Sequence, residues 1–157
     1  MSPSATTLKR DVALALGGFN ERRDYATAED YDFWIRFARV GRIRFLRRAL
    51  GEYVMSEHSA SRRIVSHHVA LERMLRDHLD EYLRAHPGLA TRLRVRRRLA
   101  RVYRSAARQL IAHREGGAEQ KTYVARMLRT YPVELRNVAV SLLWIAESFR
   151  RRDAVHS

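Results

Sequence analysis

Three carboxylates stand at the start of a run of aromatic residues and are the strongest candidates for chemistry in the chain. Glu29 and Asp30 are adjacent, and Asp32 follows two positions later. A carboxylate within hydrogen-bond reach of a hydroxyl group can take its proton as that group attacks, which typically raises a rate by about 10²–10⁴. On spacing alone, the simpler interpretation is that these acids lie in the first turn of a helix, where the helix dipole stabilises negative charge.

Asp30 and Asp32 also form an Asp-x-Asp pattern, which is typical of metal sites. Two positions on an α-helix are separated by about 200° around its axis. The two carboxylates therefore point apart and are not expected to bind one ion. We expect Asp32 to be a hydrogen-bonding residue at the helix N-terminus.

The elements that position these residues follow from the hydrophobic pattern. Apolar and aromatic residues between 31 and 38 recur with helical spacing and predict a helix that ends at Gly41. A shorter helix before it ends at Gly17-Gly18, because glycine accepts the left-handed conformation in which helices often stop. Short strands are predicted at 4–8, 43–45 and 50–55.

Beyond residue 59 the pattern is helical throughout. Four apolar stripes predict four helices, separated by turn residues at 87–88, 116–117 and 132. Three histidines of the first of these helices lack the ligand spacing of a zinc site and are predicted to lie on its surface: His67, His68 and His78. The predicted fold is an α/β remnant in residues 1–58 followed by an all-α tail in residues 59–157, mostly helical overall.

The composition excludes several classes of protein. The 157 residues include no cysteine, which excludes a disulfide scaffold, a thiolate zinc site and a cysteine nucleophile. No apolar run reaches the roughly 18–20 residues of a membrane span, and no signal peptide is expected. With 31 basic and 17 acidic residues the net charge is +14, and most of it lies in the tail. We expect a cytoplasmic protein, with the inner membrane face as an alternative location.

Five blocks of sequence follow one another in a specific order within the first 62 residues. They are Ser4-Ala5-Thr6-Thr7-Leu8-Lys9-Arg10, Leu16-Gly17-Gly18-Phe19-Asn20-Glu21, Ala28-Glu29-Asp30-Tyr31-Asp32-Phe33-Trp34-Ile35-Arg36, Gly41 with Ile43-Arg44-Phe45-Leu46, and Tyr53 with Glu57-His58-Ser59-Ala60-Ser61. In their order and spacing these blocks resemble the C-terminal, acceptor-side part of family 2 glycosyltransferases, which have the GT-A fold.

The resemblance implies transfer of a sugar, with inversion, from a nucleotide-sugar donor to a hydroxyl of a glycan or lipid-linked acceptor. It implies a divalent metal, Mn²⁺ or Mg²⁺, on the donor diphosphate. Carried over by position, it implies that Asp30 is the catalytic base, with Glu29 beside it. It also implies that a loop of Gly17, Gly18 and Phe19 lines the sugar site, because backbone without side chains can approach a ligand closely.

Three further residues each have more than one interpretation. Trp34 is either a platform facing the sugar or a core residue of an aromatic helix. Arg36 pairs with Asp30 or Asp32, meets an acceptor phosphate, or is a solvated or structural arginine. His58 lies where some relatives place a metal-contacting histidine, although one imidazole cannot hold a metal by itself.

In the family, a donor half precedes these blocks and carries the nucleotide-binding sheet and the metal-binding Asp-x-Asp. Here the match begins at Ser4. We therefore expect this chain alone to be inactive. Two interpretations remain open: a truncated gene product, or half of a split enzyme that a companion chain completes with the donor half.

Residues 92–104 carry seven arginines and no acid, on a predicted helix whose apolar stripe includes Val95, Leu99 and Val102: Arg92, Arg94, Arg96, Arg97, Arg98, Arg101 and Arg104. A cationic helix face of this kind suits a nucleic acid or an anionic membrane surface, and a solvated face is the simplest interpretation. The alternatives to the enzyme are therefore a basic helical binding module and a purely structural helical module.

Overall fold

The computed structural model describes residues 6–48, 51, 64–113 and 116–153, and within these ranges the chain is mostly helical. It forms one 3-10 turn, Arg23–Tyr25, and six helices: α1 (Arg10–Ala15), α2 (Glu29–Val40), α3 (Ile64–Ala85), α4 (Leu89–Ala112), α5 (Gly117–Thr130) and α6 (Leu135–Asp153). The four tail helices are confirmed. The first three end shortly before their stop signals, because proline cannot continue a helix and glycine adopts the conformations that end one.

The predicted short strands are not seen among the described residues. Residues 6–9 and 42–47 are irregular, and the other predicted strand positions, 4–5, 50 and 52–55, lie outside the described residues. A strand forms only where a neighbour pairs with its backbone groups. Ile43 and Phe45 are 51% and 84% exposed, so these side chains are not packed in a sheet.

The main hydrophobic core is built around α4. Buried residues of this helix alternate with arginines, so that one face packs and the other is charged. Side chains from all four tail helices meet in this core: Ile64, Val95, Leu99, Tyr103, Ala106, Ala107, Leu110, Tyr123, Val124, Met127 and Val140. The tail is therefore one packed bundle.

A second, smaller core joins the N-terminal segment, residues 6–48, to α3. Tyr25 and Ala28 are buried with Met74 and Leu75 of α3. The Tyr25 hydroxyl also donates a hydrogen bond to Asp77 at 2.8 Å. This contact fixes the turn that leads into α2 on the surface of the tail.

The apolar stripe that predicts α6 faces away from the core. Val140 is 3% exposed and Trp144 packs against the core, whereas Leu142 and Phe149 are each 61% exposed. A helix ordinarily buries its apolar stripe, but α6 has apolar residues on both sides. We call the exposed side the outer stripe; it consists of Leu135, Val138, Leu142, Ile145 and Phe149. None of the described helices is long and apolar enough to cross a bilayer.

Candidate functional site

Asp30 lies in the first turn of α2, with its side chain partly open to solvent. Its Oδ1 accepts the backbone N–H of Tyr31 at 2.7 Å, and it forms no ion pair with any described residue. The dipole of α2 stabilises negative charge at this position. Asp30 is therefore a carboxylate that can accept a proton from a ligand.

Glu29 precedes Asp30 and is half-buried. Its Oε2 is buried and has no hydrogen-bond partner among the described residues. Buried carboxylate oxygens nearly always accept a hydrogen bond, since leaving one unpaired costs free energy. This oxygen is thus an enclosed acceptor without a partner among the described residues.

Asp32 is locked in a polar network between α2 and α3. Its side chain is 3% exposed, Arg36 Nε donates to its Oδ2 at 2.8 Å, and His78 Nε2 lies 2.8 Å from its Oδ1. Arg39 reaches Nδ1 of His78 at 3.3 Å. Because an arginine can only donate, this contact makes Nδ1 the acceptor and Nε2–H the donor of the ring. Asp32 is a hydrogen-bonding residue, and its partners lie on both helices.

The described residues do not fit a divalent metal. Nitrogen donors occupy both oxygens of Asp32. Nowhere in the described ranges do three or more His, Asp or Glu side chains converge as metal ligands. His58, the other predicted metal contact, lies outside the described residues. We derive no catalytic step through a metal from this chain.

Arg36 fastens the glycine loop to α2. Gly17 and Gly18 have φ angles of 74° and 69°, the left-handed region that favours glycine, and they end α1 as predicted. Arg36 donates to the carbonyl oxygens of Leu16 and, at 2.8 Å, of Gly18. Among the interpretations of Arg36, the structure shows a structural arginine that pairs with Asp32. The space that a Cβ would occupy at either glycine is open, so a ligand has access to this backbone.

Trp34 is buried in an aromatic cluster on the other face of α2. Its ring meets those of Phe33 and Phe37 edge to face, with centroids 5.0 and 6.1 Å away, and Phe19 of the glycine loop lies 5.2 Å from Phe33. At 8% exposure, Trp34 has the environment of a core residue. Its Nε1–H is buried and meets no acceptor in the described part of the chain. Asp30 lies at the N-terminal edge of this face, three and four positions before Phe33 and Trp34.

The turn before α2 is strained at Thr27. Its φ of 75° is rare for a β-branched residue and costs about 1–2 kcal/mol. His67 of α3 holds it there, with Nδ1 at 3.1 Å from the Thr27 hydroxyl and 3.0 Å from its carbonyl oxygen. This turn sets the direction in which Glu29 and Asp30 enter the helix.

Sequence reasoning missed the role of the α3 histidines. The prediction that they lie on the helix surface is wrong for His68, which is 1% exposed and whose Nδ1 lies 2.8 Å from the carbonyl oxygen of Ile64. Burial lowers the pKa of His68. His67 and His78 contact the N-terminal segment. Their spacing of eleven residues, three helical turns, places them on one face and was the available signal.

Tyr25 and Asp77 form the second polar link to α3. Burial, reinforced by the hydrogen bond to Asp77, raises the pKa of Tyr25 to about 12. The same hydrogen bond lowers the pKa of Asp77. Arg22 also pairs with Asp77 at 3.0 Å. The site is therefore supported from the tail by polar contacts along α3, which include those at positions 67, 77 and 78.

The seven arginines of residues 92–104 do not share one face. Arg97 and Arg104 lie 3.7 and 3.2 Å from Glu134, and Arg104 also donates to Asn137 at 2.9 Å. Arg92 and Arg96 line a cavity of about 440 Å³ with Leu83, Arg84, Pro87 and Val95. Arg101 and Arg104 line another, of about 650 Å³, between α4 and α6. Arg94 and Arg98 are exposed.

Comparison with known proteins finds no match. No protein-family model, no curated protein and no solved structure matches the chain. The resemblance to family 2 glycosyltransferases stays an interpretation of the sequence, and a function for the chain rests on the geometry of the site together with that interpretation.

Proposed function

We propose that the chain is the acceptor-side part of an inverting glycosyltransferase in which Asp30 is the catalytic base. The observation that carries the proposal is the contrast between two neighbouring carboxylates. Asp30 is partly open and unpaired with any described cation, whereas Asp32 is buried and holds Arg36 and His78. Asp32 thus has a structural role, whereas Asp30 remains available as a base.

In this function, Asp30 takes the proton of the acceptor hydroxyl while its oxygen attacks the anomeric carbon of the donor sugar. Oxygen forms the new glycosidic bond as the nucleotide diphosphate leaves from the opposite face with the bonding electron pair. The open backbone at Gly17 and Gly18 lets a sugar ring approach. The donor and the metal on its diphosphate are held by a donor half outside the described residues.

The test completes the chain with the donor half of a family 2 glycosyltransferase, joined ahead of residue 4 or supplied as a separate chain. Transfer of radiolabelled sugar to a soluble acceptor is measured. We expect Asp30→Asn to lower the transfer rate by about 10²–10⁴, since the amide cannot take the proton. Asp11→Asn removes the same charge from the first turn of α1 and is the matched control, expected to keep transfer.

Circular dichroism of each variant checks that the helices are intact. Transfer by Asp30→Asn at the rate of the unsubstituted protein would contradict the assignment of the base. Absence of transfer by the completed, unsubstituted protein, under conditions where the intact family 2 enzyme is active, would contradict the proposed function as a whole.

A further inference from the structure

The outer stripe of α6 is a continuous apolar surface. Its members follow the helical repeat from position 135 to 149, about 21 Å along the axis. Exposure ranges from 42% at Ile145 to 86% at Leu135. Scattered exposed apolar residues are common in proteins, but a contiguous stripe marks an interaction surface.

A cationic cavity lies between α4 and α6. On α6 it is lined by Leu143, which is 56% exposed and follows Leu142 of the outer stripe in the sequence. Arg101, Arg104 and Arg108 line it from α4 at spacings of three and four residues, together with Ser105, Gln109, Ile111, Ala112 and His113. None of its lining residues is acidic. Glu134 pairs with Arg104 and also interacts electrostatically with Arg101, whereas Arg108 forms no ion pair with a described residue. Two exposed cations, Arg101 and Arg108, therefore lie on the side of α6 that carries Leu143.

We propose that the outer stripe and this cavity dock the protein on an anionic lipid bilayer. Helix α6 lies in the plane of the interface with its outer stripe against the acyl chains, as amphipathic helices do. Arg101 and Arg108 contact lipid phosphates, whose negative surface potential attracts such side chains. The inference does not depend on the proposed glycosyltransferase function.

Charge and polarity favour a bilayer over other occupants. A second copy of the chain would bring two proteins of net charge +14 together beside their exposed arginines, which repel. A nucleic acid would neutralise the arginines but leave the outer stripe in water. An anionic bilayer complements both parts of the surface at once.

The first experiment is sedimentation of the full chain with vesicles of phosphatidylcholine alone or mixed with phosphatidylglycerol. We expect binding to the anionic vesicles only. The double variant Leu142→Ser with Ile145→Ser should weaken that binding about tenfold or more, because it removes apolar side chains from the outer stripe. The matched control is Leu89→Ser with Leu93→Ser, which removes exposed apolar groups from α4, outside the surface, and should bind normally.

The second experiment compares two pairs of arginine substitutions that change the net charge equally. Arg101→Gln with Arg108→Gln should weaken binding to the anionic vesicles about 30-fold, about fivefold for each cation. Arg92→Gln with Arg96→Gln, in the other cavity, should weaken it about threefold or less. Equal losses from the two pairs would overturn the proposal, since they would indicate attraction by net charge alone.

Two further results would also overturn it. One is a dimer in analytical ultracentrifugation that the Leu142/Ile145 double variant dissociates, without vesicle binding by the unsubstituted chain. The other is a mobility shift with duplex DNA that the Arg101/Arg108 double variant abolishes, again without vesicle binding. Circular dichroism confirms that each variant is folded. Neither the Leu142/Ile145 pair nor the Arg101/Arg108 pair lies on α2, so both double variants should keep transfer to a soluble acceptor. A failure of the membrane proposal can therefore be distinguished from a failure of the proposed function.

Discussion

At the scale of single residues, Thr27 offers a direct test of the strained turn before α2. Thr27→Gly and Thr27→Ala both remove the hydroxyl that contacts His67, but only glycine relieves the strain at a φ of 75°. We expect the glycine variant to be more stable than the alanine variant by about 1 kcal/mol, even though glycine has more freedom in the unfolded chain. Urea unfolding measures the difference, and equal stabilities would contradict the strain.

His68 makes stability depend on pH. Burial holds its pKa below the ordinary value, and the contact with the Ile64 carbonyl offsets part of this effect. Below about pH 6.5, His68 is therefore protonated more readily in the unfolded chain than in the folded one. The contribution of neutral, buried His68 to the unfolding free energy is fully present above about pH 6.5 and is lost as the pH falls below that value. We expect His68→Gln to lose less unfolding free energy than the unsubstituted protein between about pH 7.5 and 5.5.

Urea unfolding at both pH values measures this difference. His113→Gln, at an exposed histidine, is the control and should keep the pH dependence of the unsubstituted protein. A His68→Gln variant with that same dependence would argue against the role of His68.

At the scale of elements, the orientation of α6 is the feature most open to test. Val140→Ala removes two methyl groups from the core and should cost about 2 kcal/mol of unfolding free energy. Leu142→Ala, two positions away on the outer stripe, should change it by about 0.5 kcal/mol or less. Urea unfolding of both variants decides the orientation, and the reverse order of the two losses would place the outer stripe in the core.

The helices also show which features of the fold can be predicted from the sequence and which cannot. Helix number and order follow from the stop signals, which act locally. The buried face of α6 does not, because it includes Asn137, which is fully buried and donates to the Tyr131 carbonyl while accepting from Arg104. Because the buried face of α6 includes this polar residue, the face does not appear in the sequence as an apolar stripe.

The same limit applies to the candidate site. An α-helix rotates by about 100° per residue, so the sequence alone predicts that Asp30 and Asp32 point apart. That His78, 46 residues later, binds Asp32 is a tertiary contact with no local signal. The sequence therefore predicts which carboxylates diverge, and only the structure shows which one is engaged.

At the scale of the whole molecule, the helical tail supports the N-terminal segment that carries the candidate site. Thr27, Tyr25 and Asp32 are each held by a residue of α3, so the bundle supports the turn and the helix that carry Asp30. The two parts, predicted to divide at residue 58, are joined by these polar contacts and by the smaller hydrophobic core. Loss of the tail would thus be expected to release the candidate base from its position.

The described residues include no cluster of metal ligands, and this leads to a prediction for the chain alone. Isothermal titration with a nucleoside diphosphate and Mn²⁺ should show no binding tighter than the millimolar range, because no described group of acids converges on an ion. The net charge of +14 attracts diphosphates non-specifically, and moderate salt suppresses this attraction. Micromolar binding at moderate salt would refute the proposal that the donor is held elsewhere.

The most direct test of the central claim compares Asp30→Asn and Asp32→Asn in the completed enzyme, with sugar transfer and urea unfolding measured on both. Asp30→Asn should lower the transfer rate by about 10²–10⁴ while keeping its unfolding free energy within about 1 kcal/mol, the size of a helix-dipole interaction. Asp32→Asn should lose about 2 kcal/mol of unfolding free energy, because it weakens charged hydrogen bonds to Arg36 and His78. Full transfer by Asp30→Asn, with or without a change in stability, would contradict the account.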